Sequence, residues 1–180
     1  METAVLARET GSSVGPAKPR FKSVAITDMF TVESGQYHNA SSLEKGDDPL
    51  ISCGDTNNGL NRFVQAPPSA RKYSDSLTVA YNGQPFTAKF HPYPFVTKDD
   101  VAVCRSDSGI PLETVIFAGV MFNLERWRYS YGRKCFREKL CRSSIPMPVT
   151  ESGQIAHDWI RDLVTRHPYW NYFHDQLAGV

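Results

Sequence analysis

The chain has 180 residues, of which 41% are hydrophobic, enough for one domain with a real core and tails. Twenty Lys and Arg stand against nineteen Asp and Glu, a formal net charge of +1, so bulk charge carries no argument for a polyanionic partner and local clustering must carry it. No stretch approaches the roughly 18 apolar residues of a membrane helix, which excludes a membrane partner of that kind.

Residues 1–19 mix Gly, Ser, Ala and Pro without periodicity and are expected to be unstructured. They contain no apolar run of signal-peptide length, and Glu2 and Glu9 argue against a mitochondrial leader, so a cytoplasmic location is expected. Cys53, Cys104, Cys135 and Cys141 form no C-x-x-C pair and are expected to be reduced and metal-free.

From Phe21 onward, short apolar runs alternate with turn residues: SVAI, MFTV, PLISC, RFVQ, SLTVAY, TAKF, PFVT and DVAVC. In SLTVAY, Leu77, Val79 and Tyr81 alternate with Ser76, Thr78 and Ala80, the period-two pattern of a half-buried strand. Asn82-Gly83 then stands where a hairpin would turn. These segments predict a twisted, mostly antiparallel sheet.

After Pro111 the period changes. Leu112, Val115, Ile116, Gly119 and Phe122 fall at helical spacing, predicting a core-packing helix and, with the strands, an α+β fold. RKCFREKLCR predicts a second short helix, and the prolines of SSIPMPV favour an extended edge segment. In the tail, Ile155, Trp159, Leu163 and His167 recur every four residues, a stripe that needs a partner surface. Folding back onto the domain and docking on another protein both satisfy that need, and Trp170 with its aromatic neighbours adds to the docking case. Ile155, Trp159, Leu163 and Trp170 are the partner-binding candidates.

No catalytic residues or metal ligands emerge. A nuclease needs clustered carboxylates and a base methyltransferase a glycine-rich cofactor turn. Asp47-Asp48 and Asp99-Asp100 are adjacent pairs whose side chains diverge on a strand, and the five histidines lack ligand spacing. No G-x-S-x-G elbow is present.

Binding has more support. The stretch GVMFNLERWRYSYGRKCFREKLCR holds seven Lys and Arg against Glu125 and Glu138. On charge alone this could be a solvated helix face or a phosphate-contacting surface. Trp127, Tyr129 and Tyr131, interleaved with the cations, favour the second. In CGDTNNGLNRFV, Asn57, Asn58 and Asn61 carry amides that both donate and accept, as adenine readout requires, and Arg62 carries the fork that matches guanine. An Asn-Gly turn between two strands explains the same loop without any ligand.

The order of PLISC, NNG, RFV, LTV, NGQPFTAKF, PFV, DDVAV, an apolar helix, YSYGRK and SSIPMPV resembles the target recognition domain of DNA-specificity subunits of type I and related restriction-modification systems, in a single-domain form. The resemblance covers about Phe21 to Val149, so residues 20–149 are expected to form a recognition domain and 150–180 a short helical, aromatic tail for docking or dimerisation. It implies a noncatalytic subunit that reads double-stranded DNA and positions a separate adenine-N6 DNA methyltransferase subunit and, in some systems, a restriction subunit. S-adenosylmethionine and magnesium would then belong to those partners, and this chain would hold no cofactor. By the same likeness, Asn57, Asn58, Gly59, Asn61 and Arg62 would lie near base edges, and Tyr131, Gly132, Arg133 and Lys134 would grip the backbone. Lys72 and Arg137 are added for local charge only.

Full-length members of that family carry two recognition domains separated by long helices. Here at most about twenty helical residues follow Val149, roughly 30 Å of helix. A half-specificity subunit that pairs with itself or docks on a catalytic subunit is therefore expected. The rival readings are a small stand-alone DNA endonuclease and a noncatalytic protein-interaction module with a solvated basic face.

Overall fold

A computed structural model describes residues 19–36, 39, 41–106 and 109–177. The leader expected to be unstructured lies, up to Lys18, outside the described residues. The fold is α+β, and the described residues form three small sheets and four α-helices.

Strand β1 (Arg20–Ala25) pairs antiparallel with β9 (Ser144–Val149), so the two ends of the domain close on each other. Ile145, Met147 and Val149 of β9 are buried, the first two in the main core. Pro148 turns its carbonyl away from β1 to accept the Ala156 N–H, and Pro146 and Pro148 share that outward side, so no ladder donor is lost.

The central sheet runs β2 (Thr31–Ser34), β8 (Val101–Arg105), β5 (Ser76–Ala80), β6 (Ala88–His91), all antiparallel. The alternation in β5 predicts one wet face, yet every residue of β5 is buried. Leu77 and Val79 face the main core beneath helix α1 (Leu112–Glu125). On the opposite face, Thr78 lies opposite Val103 in register, and Val103 belongs to a second core with Ile51, Tyr73 and Phe95. Thr78 tolerates this burial because its hydroxyl hydrogen-bonds His91 Nε2 at 2.8 Å.

The third sheet joins β4 (Leu60–Val64) to β3 (Asp48–Ile51) antiparallel, and β3 to β7 (Val96–Thr97) in parallel. The face α1 buries is shifted from the predicted stripe. Thr114, Val115, Phe117, Ala118, Met121 and Phe122 are buried, whereas Leu112 and Ile116 are only partly covered. Gly119 allows the close approach to the sheet, since a Cβ there would stand 3.1 Å from Leu77 Cδ2.

After α1 come the short helix α2 (Arg137–Cys141) and, beyond β9, α3 (His157–Thr165) and α4 (Trp170–Leu177). The tail folds back at its start. Ile160 is fully buried, Trp159 meets Phe21 and Phe117 edge-on, and Ile155 bridges to Val149. The domain's own core thus occupies Ile155 and Trp159, two of the partner-binding candidates. Leu163, Tyr169 and Tyr172 remain exposed, and Trp170 packs partly on Phe173 and His174 of its own helix.

Candidate nucleic-acid interface

The loop between β3 and β4 makes a left-handed turn. Asn57, Asn58 and Gly59 have φ of 48°, 52° and 79°, a run that asparagine tolerates and glycine adopts freely. Gly59 is required for packing as well, because a Cβ there would lie 2.8 Å from the Ser52 carbonyl oxygen. Its carbonyl accepts from Ser52 N–H and its N–H donates to Thr56, which closes the turn.

The turn is strapped to β6. Asn58 Nδ2 donates to the Phe90 carbonyl at 2.8 Å and lies 3.4 Å from His91 Nδ1. Lys89 Nζ donates to the Gly54 carbonyl at 2.6 Å. Beneath the turn, His91 is wholly buried and also meets the Tyr93 hydroxyl at 3.2 Å. Burial first, and the neighbouring Lys89 charge second, push its imidazole down to about 3, so the ring is neutral.

The β5–β6 hairpin supplies a second loop. Its tip bends at Gly83, with φ of 64°, close to the predicted Asn82-Gly83 turn. A Cβ on Gly83 would lie 3.4 Å from the Cys53 carbonyl, so the tip rests against the start of the first loop.

The third loop follows α1. A 3₁₀ turn at Arg126–Arg128 leads through extended Tyr129 into a tight turn in which Ser130 and Arg133 exchange two backbone hydrogen bonds. Tyr131 and Gly132 form its apex. Tyr131 is 78% exposed and Trp127 76%, a large apolar display for a protein surface. Lys134 Nζ sits 5.2 Å from the Tyr131 ring centre, a cation–π distance. An open depression of about 260 Å³ separates this turn from the hairpin tip and is bounded by Gly83, Gln84 and Pro85 on one side and by Arg126, Trp127 and Tyr131 on the other. A larger open cleft of about 730 Å³ lies on the far side of Tyr131, among Arg133, Lys134, Lys139 and Arg142.

The hairpin thus lies between the other two loops: Gly83 rests against Cys53 at the start of the first, and Gln84 and Pro85 face Trp127 and Tyr131 of the third across the depression. Asn57, Asn58, Asn61, Arg62, Tyr131, Gly132 and Arg133 are all exposed, and Lys134 is half-buried, with Asn61 and Arg62 on β4 beyond the asparagine turn. Three expected residues sit differently. Gly59 is buried and shapes the turn instead of facing outward. Lys72 bonds Asp48 at 2.6 Å, and Asp48 lies opposite Val64, at the end of the β3–β4 ladder remote from the asparagine turn. That hydrogen bond, above all, holds the Asp48 carboxyl below its ordinary range. Arg137 spends its Nε–H on the Val32 carbonyl at 2.9 Å, which ties α2 to β2. Arg126 comes from the basic stretch already singled out by its charge, whereas Gln84 joins the depression unannounced, because no local spacing relates residues 83–85 to 126–131.

Among the described residues, no group of three or more His, Cys, Asp or Glu could hold a metal ion. The four cysteines are unpaired with one another. Among the same residues, no helix is long and apolar enough to cross a membrane.

No protein-family profile matches the chain. Over 142 residues it is 24% identical to the specificity subunit S.BcgI of the type II restriction enzyme BgcI of Heyndrickxia coagulans, covering 78% of this chain and 41% of that one. The S subunit of a type I restriction-modification system from M. genitalium superposes with a TM-score of 0.57 over 88% of this chain and 42% of its own, at 15% identity. The HsdS subunit of Thermoanaerobacter tengcongensis gives 0.54 over 96% of this chain and 41% of its own, at 12% identity.

The chain has the fold of a restriction-modification specificity subunit. A chain from a structure of type I system assembly and conformational transition agrees, with a TM-score of 0.55, 12% identity and 96% coverage of this chain. The chain spans about two fifths of the length of these specificity subunits. Sheets, helices and their order thus follow the recognition-domain likeness drawn from the motifs.

Proposed function

We propose that this chain is the DNA-reading half of a specificity subunit. It binds duplex DNA sequence-specifically, does no chemistry itself, and positions a separate adenine-N6 methyltransferase, with a restriction subunit in some systems. S-adenosylmethionine and magnesium act on those partners. The exposed Leu163, Tyr169 and Tyr172 of the tail offer the anchors for a catalytic subunit or a second copy.

The observation that carries the reading is the meeting of three loops: an amide-rich turn and a basic, aromatic turn flank one hairpin tip. Amides and guanidinium groups read base edges, while cations and aromatic faces hold phosphates and sugars. A protein-interaction module would not need both sets side by side.

The deciding experiment is selection of bound duplexes from a randomised pool by the purified chain, followed by titration at several salt concentrations. Enrichment of a short motif, with log affinity falling linearly with log salt by roughly 0.9 per phosphate contact, is expected. Binding without motif or salt dependence would defeat the reading. So would plasmid cleavage by the chain alone with magnesium.

A further inference from the structure

We propose that Asn58 is a specificity-determining residue that reads DNA purely as a hydrogen-bond acceptor, so that its target is an exocyclic amino group on a base edge. The inference rests on the reading of this surface as DNA-binding, and it names the chemistry of one contact within it.

An asparagine amide ordinarily offers two donors and one acceptor, the set that pairs bidentately with adenine N6 and N7. Asn58 has already committed its donors. One N–H of Nδ2 goes to the Phe90 carbonyl at 2.8 Å, and the second points to His91 Nδ1, 3.4 Å away. A flipped amide would set two oxygens against each other, because a backbone carbonyl cannot donate; Phe90 thus fixes which atom faces inward.

His91 fits the same polarity. It is wholly buried, and Nε2 lies 2.8 Å from Thr78 Oγ1. With the ring proton on Nε2, shared with that hydroxyl, Nδ1 is left as an acceptor whose one lone pair the Asn58 amide and the Tyr93 hydroxyl share. A buried network of this kind is rigid because every departure strands a polar atom.

What remains for solvent is Oδ1. Asn58 is exposed, and among the described residues no donor reaches that oxygen. A lone acceptor selects an amino donor: adenine N6 or cytosine N4 in the major groove, guanine N2 in the minor groove. It rejects thymine O4 and guanine O6, where two acceptors would face each other.

The test uses the duplex that the wild-type chain selects, and Asn58→Gly. Glycine keeps the left-handed turn at φ of 52° and deletes the oxygen. Preference at a single base pair should fall roughly 2- to 12-fold, the size of one net hydrogen bond. At that pair, purine in place of adenine, 2-pyrimidinone in place of cytosine, or hypoxanthine in place of guanine removes only the amino group and shows which base supplies it. The wild type should lose the same factor with the matching analogue, and Asn58→Gly should be indifferent to it. The inference falls if preference survives Asn58→Gly at every position, or if every amino-deleted duplex binds the wild type as well as its parent does. The analogue arm needs no variant, so it decides even if Asn58→Gly fails to fold. A wild type that prefers no duplex would instead overturn the DNA-binding reading itself.

Discussion

Phe86 and Tyr129 stack with ring centres 4.5 Å apart and planes 25° from parallel, and this contact joins the hairpin tip to the start of the basic turn. Phe86 is fully buried and also packs on Phe122. It holds φ of 71°, a conformation that a bulky residue keeps only when its surroundings over-determine it. The chain accepts local backbone strain here to fix two loops against each other.

Truncating that ring should therefore be severe. Phe86→Ala is expected to lose about 3–5 kcal/mol of stability, measured as a lower urea midpoint at unchanged slope. Phe86→Leu should lose less. In the fraction that stays folded, DNA affinity should drop while its salt dependence is preserved, because no cation has been removed. A changed salt slope would mean that the stack does not serve to position the turn.

The basic turn itself is tested by charge removal. Arg133→Ala combined with Lys134→Ala should weaken binding to all duplexes and reduce the slope of log affinity against log salt by about 1.8, two phosphate contacts' worth. Lys72→Ala is the control. Its ammonium is engaged by Asp48, away from the loops, so affinity and slope should stay as in the wild type. Equal slope changes for the two variants would erase the distinction drawn from their positions.

The difference between those cations marks where the sequence was legible. Periodicity located α1 and the strands because core burial repeats with the geometry of the element, and the order of motifs carried the family likeness. Burial on both faces of β5 was hidden, since the partner covering Thr78 is a histidine thirteen residues away whose role depends on tertiary packing. The position of the hairpin tip between the two flanking loops was equally hidden, because loop proximity leaves no period. Lys72 is a candidate on local charge alone, and the placement of Asp48 shows where that charge is engaged. Asn57 and Asn58 stand out in the sequence for their amides, although the left-handed backbone they adopt is an independent reason for asparagine at both sites.

Trp127 should behave as a contact residue and not as a core one. It is 76% exposed beside Arg126, so Trp127→Ala should leave stability within about 0.5 kcal/mol of the wild type. If it stacks on or packs against the nucleic acid, affinity should fall by about 1–3 kcal/mol, the range of an aromatic–base contact. Fluorescence of the chain, with Trp159 and Trp170 as background, should quench on DNA addition, and the variant should lose that quench. A folded variant with undiminished affinity would remove Trp127 from the surface.

His91 gives the pH prediction. Buried and neutral, it has a native value of about 3 against 6.5 for a free imidazole. Between these values the unfolded chain binds a proton that the native chain refuses. Stability contributed by this site is therefore complete above about pH 6.5 and lost as pH falls toward 3, at up to about 1.4 kcal/mol per pH unit. His91→Gln cannot titrate, while its amide can still meet Thr78. Urea unfolding at pH 7, 6, 5 and 4.5 should show the wild type losing ground to this variant at every acid step, with the carboxylates cancelling in the difference. The same protonation would turn Nδ1 from acceptor to donor and expel the Asn58 amide from its seat. Because the native ring refuses that proton down to about pH 3, sequence preference should hold across this range and be lost only with the fold. Parallel stability curves for the two proteins would show that the ring is accessible to protons in the native state, and the rigid seat beneath the asparagine turn would have to be given up.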